Sequence, residues 1–222
     1  VALLTASCLG ASTLLAHYSS TFLSEPLSAL CLAVVLLGLL KAKGKGSVRG
    51  ECAGRWWLAI SGLAAGLAVA TKVAHVVVVL PFLFWAAALG WQRSRQRGLV
   101  VHALYWSFFF SIWIGAIAGY NWSRFASVFE TGYGREAGNF TTPLAVGLSG
   151  LLASPAKGVL WYCPVLVLAM LGWPAFWRRD RACALAIVAA SVLWLLLISR
   201  YYQWFGGGAW GPRFLVPLLP LW

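Results

Sequence analysis

Apolar runs bounded by basic or glycine-rich clusters divide this chain into about eight segments near the ~20-residue length that crosses a bilayer. They lie at 1–16, 26–40, 56–71, 73–90, 100–120, 159–177, 182–199 and 213–222. A further apolar piece at 144–153 is too short to span and predicts an interfacial or re-entrant helix. The pattern predicts an all-α, polytopic transmembrane helical bundle, taken as one domain over 1–222. Residues 120–158 form an extracytoplasmic loop that includes the short interfacial helix. The chain opens at Val1 inside an apolar run and closes at Trp222 partway through another, so it reads as a fragment of a longer protein. Residues 1–16 lack the charged n-region and cleavage site of a signal peptide, and read as the end of a helix.

One full-time charge interrupts the longest apolar stretch. Lys72 stands near the middle of 60–81, where a buried charge costs about 2.5–3.5 kcal/mol on insertion scales. Either Lys72 tips a tight hairpin between two spans, or it faces a polar cavity. Length favours the hairpin, because a single helix over 56–90 would rise about 52 Å against a hydrocarbon core of about 30 Å. Pro81 is expected to kink the second of the two helices. Gly62 with Gly66, and Gly115 with Gly119, offer small-residue faces for close packing.

With the hairpin in place, the basic loops sort by side. Lys41, Lys43, Lys45, Arg49, Arg55, Arg93, Arg95, Arg97, Arg178, Arg179 and Arg181 fall on one face. Lys72, Arg124, Arg135, Lys157, Arg200 and Arg213 fall on the other. The richer face is therefore the cytoplasmic one. Composition agrees with a membrane protein: 61% of residues are hydrophobic, 10% are charged, and Trp occurs 14 times. The net charge of +12 reads as loop cations that orient helices, and nucleic acid is not an expected partner. The five cysteines show no CxxC spacing, and neither a disulfide framework nor a zinc site is expected.

Candidate chemistry collects on the poorer face. Glu25, after Ser24 and before Pro26, opens a span, where an acid suits a helix N-terminus and could also serve as a base or metal ligand. Lys72 is either an interfacial cation or a point charge for a phosphate, and His75 follows it by one helical turn. Lys157 and Arg213 stand at outer helix ends beside flexible backbone, where a lipid headgroup or diphosphate could bind. No Walker loop, HExxH, GxSxG or dinucleotide fingerprint occurs.

Five motifs in order resemble the GT-C superfamily of integral-membrane glycosyltransferases. They are FLSEPL (22–27), GLAAGLAVATK (62–72) before a helix reaching Pro81, and YNWSRF (120–125) with ETGYG (130–134). SPAKG (154–158) with Tyr162 and Pro164, and WGPRF (210–214) with Pro217 and Pro220, complete the set. The chain is most similar in these respects to the lipid-carrier-dependent group that includes aminoarabinose transferases and protein O-mannosyltransferases. The resemblance implies inverting sugar transfer from a polyprenyl-phosphate-linked donor, on the extracytoplasmic side of a bacterial plasma membrane. It implies Glu25 as a catalytic carboxylate and Lys72, His75, Lys157 and Arg213 as ligands of the donor phosphate. Tyr133, Tyr162 and Trp210 would hold substrate. In such enzymes an acid in the first extracytoplasmic loop activates the acceptor, often with a divalent metal nearby, and that loop is expected upstream of Val1. The metal ligands stay unassigned. Implied partners are membrane lipids, the lipid-linked sugar and other membrane proteins. A transporter or flippase of a lipid-linked substrate, and a non-catalytic subunit of a membrane assembly, are the rival readings.

Overall fold

The computed structural model describes residues 2–11, 13–21, 23–43, 48–130, 132, 134 and 138–222. Among them every regular element is helical: α1 (Ala2–Ala11), α2 (Leu14–Ser19), α3 (Glu25–Lys43), α4 (Val48–Thr71), α5 (Val76–Phe125), α6 (Leu144–Ala153), α7 (Val159–Tyr162), α8 (Leu166–Arg179) and α9 (Arg181–Arg200). Short 3₁₀ turns cover Val73–His75 and Arg213–Leu221. Among the described residues, four helical segments are long and apolar enough to cross a membrane: Glu25–Lys43, Val73–Gln92, Ser94–Phe125 and Arg181–Arg200. The single domain expected over 1–222 is built as two compact units, Val1–Leu30 with Asn139–Trp222, and Cys31–Gly138.

The Cys31–Gly138 unit is a set of up-and-down helices whose directions follow from their contacts. The Oγ of Ser61 donates to Val35 O at 3.1 Å and accepts from Trp106 Nε1 at 3.1 Å, tying α3, α4 and α5 in a buried spot. A side chain on Gly38 would meet Ser61 and Trp57, so α3 and α4 run antiparallel. Gly62 abuts the backbone of Trp106, and Gly66 that of Phe110. Residue numbers rise together along that contact, so α4 and the second limb of α5 run parallel. Non-helical φ/ψ at Ser94 and Arg95 divide α5 into two limbs, and Gly90 and Gly98 pack backbone to backbone across that turn. The two limbs are therefore antiparallel, and the chain must also reverse between α4 and the first limb. It does so at Lys72, whose φ/ψ of −159°/116° is extended. Pro81 lies inside the first limb of α5, and the non-helical residues of α5 are Ser94 and Arg95.

In the other unit, segments expected as spans are divided, each for a local reason. Segment 1–16 is broken at Thr13, whose backbone is extended (φ/ψ −129°/169°) and whose Oγ1 accepts the Leu15 N–H at 3.2 Å and caps α2. Segment 159–177 is broken at Cys163, φ/ψ −137°/65°, because the following Pro164 disfavours helix in the residue before it. What remains, α8, has 14 residues, or roughly 21 Å of rise. Segment 213–222 is a buried 3₁₀ helix whose Pro217 and Pro220 withhold two backbone donors. It docks on α9 through Trp194 Nε1 to Phe214 O (2.7 Å) and Trp222 Nε1 to Ser191 Oγ (2.8 Å). The short helix expected at 144–153 is α6, and Gly147 lets it lie against the backbone of Ser199 in α9. The loop expected from 120 starts later, because α5 continues to Phe125.

Candidate functional site

In the unit formed by Val1–Leu30 and Asn139–Trp222, a glycine-rich loop gathers five of the expected site residues. Residues 206–211 leave α9 through a turn in which Gly206, Gly207 and Gly211 all take positive φ. Such φ values are free for glycine and costly for other residues. Gly211 has a second constraint: a Cβ there would sit 2.9 Å from the Tyr162 ring and 3.0 Å from Leu14.

Four side chains from distant parts of the sequence hold this loop: Lys157, Tyr18, Tyr162 and His17. Lys157 Nζ donates to Gly207 O at 3.3 Å and, over a very short distance, to Ala209 O. The Tyr18 hydroxyl, 1% exposed, donates to Trp210 O at 2.6 Å. The Trp210 ring, 54% exposed, meets Tyr162 edge-on at 4.8 Å and His17 at 5.1 Å. Tyr162 in turn donates its hydroxyl to Ala156 O at 2.9 Å, within the 154–158 turn that carries Lys157.

The loop ends at an ion pair. Arg213 Nε lies 3.0 Å from Glu25 Oε1, with Glu25 2% and Arg213 26% exposed. The N–H of Nε is not aligned on the carboxylate, so the contact is electrostatic more than a directed hydrogen bond. Arg213 also stacks over the Phe214 ring at 4.9 Å. Tyr18 feels this neighbourhood. Burial pushes its hydroxyl up to about 12, the Arg213 charge opposes that rise, and Glu25 and Tyr162 add to it.

The Cys31–Gly138 unit holds a separate cleft of about 360 Å³ at the end where α4 and the second limb of α5 finish together. Ala70, Thr71, Lys72, Val73, Trp113, Ala116, Ile117, Tyr120 and Asn121 line it. One cation thus stands against a largely apolar and aromatic wall. Asn121 is buried, and its Nδ2 donates to Val128 O at 3.2 Å, folding the chain back after α5.

His75 is not on that wall. It is 1% exposed, and its Nδ1 lies 3.0 Å from Ala68 O at the end of α4. The expected one-turn spacing from Lys72 fails because Lys72 is extended and a 3₁₀ turn follows it. Tyr133 lies outside the described residues, as do Arg135 and Glu136.

Sequence reasoning missed Tyr18 as the anchor of Trp210, and Trp113 and Asn121 as residues that line a cleft with Lys72. Cys163, read as a small hydrophobe, also has a polar role: its Sγ accepts the Leu14 N–H at 3.4 Å. Among the described residues no three of His, Cys, Asp and Glu gather as a metal-binding group. Glu25 faces a guanidinium, and that donor set does not fit a divalent cation. No known protein family, curated protein or solved structure matches the chain.

Proposed function

We propose that this chain belongs to an integral-membrane glycosyltransferase of the GT-C type, and that Lys72 binds the phosphate of a polyprenyl-phosphate-linked sugar. The observation that carries the reading is the Lys72 cleft. A single ammonium set among Trp113, Ile117 and Tyr120 offers what an isoprenoid phosphate needs: an apolar wall for the lipid and a point charge for the head.

In the reaction, the bond from the anomeric carbon to the phosphate oxygen breaks. A bond to the acceptor oxygen forms on the opposite face, the acceptor gives up its proton, and polyprenyl phosphate leaves. Lys72 offsets the charge that grows on the leaving phosphate. Lys157 holds the Gly207 and Ala209 carbonyls and Arg213 faces Glu25, and the reading gives the donor phosphate to Lys72 because it lines the apolar cleft. Glu25, held on Arg213, acts by placing that residue at the end of the loop. His75 supports the Lys72 turn from beneath.

The reading puts the Lys72 end of its unit outside a bacterial plasma membrane, because Lys41, Lys43, Arg95 and Arg97 lie at the opposite end. A transporter would call for spans interrupted in mid-membrane. The break at Lys72 is a reversal between two helices, so it lends that alternative no weight. The test is sugar transfer from a polyprenyl-phosphate donor by the full-length protein. Lys72→Ala is expected to lower transfer at least tenfold at limiting donor, and unchanged transfer would exclude the assigned role.

A further inference from the structure

We propose that Lys157 is a latch that holds the 206–211 loop closed, so that withdrawing its ammonium opens the loop that leads to Arg213 and its buried partner Glu25. The loop contains no regular element and turns on three positive-φ glycines, a backbone with several accessible conformations. Within the loop, Ala209 N–H to Gly206 O is long at 3.4 Å. What fixes the closed shape comes from elsewhere in the chain. Lys157 takes two carbonyls, those of Gly207 and Ala209, and Tyr18 takes the third, that of Trp210.

These ties differ in kind. Tyr18 is itself a buried, neutral side chain, and its bond to Trp210 O anchors the loop. Lys157 is partly exposed, and its charge rests on neutral carbonyls, with no carboxylate at ion-pair distance among the described residues. An ammonium so placed can exchange a carbonyl for an ionised acceptor, which adds charge–charge attraction to the hydrogen bond. Arg213, two residues beyond the end of the loop, is close to it as well: a Cβ on Gly206 would meet Arg213 Cβ at 3.3 Å. Movement of the loop therefore bears on the side chain that holds Glu25. The inference uses the geometry of this unit alone and does not rest on the glycosyltransferase reading.

Amide hydrogen exchange on the full-length protein tests it. The reporters are the Gly206 and Ala209 amides, bonded to Gln203 O at 2.8 Å and Gly206 O at 3.4 Å. In Lys157→Met, which keeps the aliphatic stem and removes both bonds, both are expected to exchange at least about tenfold faster, the factor given by either one of the two charge-assisted hydrogen bonds lost. Amides of α9 should keep their wild-type rates. Lys157→Arg keeps the charge and is expected to restore protection to within about twofold. Wild-type rates at Gly206 and Ala209 in Lys157→Met would overturn the proposal. So would an equal acceleration in α9, or a Lys157→Arg variant as fast as Lys157→Met.

Discussion

Tyr18 shows how far one side chain can commit a site to a protonation state. Its hydroxyl is buried, donates to Trp210 O, and holds its proton up to about pH 12 because burial disfavours the phenolate. An unfolded tyrosine titrates near 10. Between those values the unfolded chain releases a proton that the folded chain keeps. The stability owed to Tyr18 is therefore full below pH 10 and is lost as pH rises through the folded value. Comparing thermal melts of wild type and Tyr18→Phe isolates this residue from the other tyrosines. The wild type's advantage in Tm is expected to shrink between pH 10 and pH 12, and a constant difference would contradict the assignment. Glu25, Lys157, Arg213, Tyr162 and Trp210 were legible in the sequence as polar or aromatic residues at the ends of apolar runs. Their pairings were not, because contacts such as Lys157 with Ala209 and Tyr18 with Trp210 join positions far apart in the chain.

At the scale of elements, the helix break at Lys72 was legible because length alone forbids one helix across it. The partners of that break were not. Lys72 lines one cleft with Tyr120 and Asn121 because α4 and the second limb of α5 run parallel, a relation that no local spacing encodes. Thr13 and Pro164 explain why two apolar runs became pairs of shorter helices: hydropathy registers apolar length, and capping or a missing donor decides where a helix stops. The Gly62/Gly66 face was legible as a packing surface, and its partner is the backbone at Trp106 and Phe110. A Cβ on Gly66 would approach Phe110 O to 2.6 Å, so the helices would have to part. Gly66→Leu is expected to destabilise this unit by about 1–3 kcal/mol, as overpacking does, seen as a lowered Tm. Gly115→Leu, where nothing lies within 4 Å of a Cβ, should melt close to wild type.

For the whole molecule, the basic residues supply the orientation. Within the Cys31–Gly138 unit, Lys41, Lys43, Arg95 and Arg97 mark one end and Lys72 and Arg124 the other. The proposed topology puts the second end outside the cell. In a cysteine-free background, a cysteine at exposed Ser123 is expected to react with an impermeant maleimide in intact cells, and one at exposed Gln96 only after lysis. The opposite labelling would reverse the topology and put the Lys72 cleft on the cytoplasmic side.

The central claim concerns what that cleft holds. It is tested most directly by measuring the affinity of the purified full-length protein for a polyprenyl phosphate and for the matching polyprenol. The account predicts that wild type prefers the phosphate by about tenfold or more, the range of one charge-assisted contact, and that Lys72→Ala loses this preference while still binding polyprenol. Equal preference in the two proteins would contradict it.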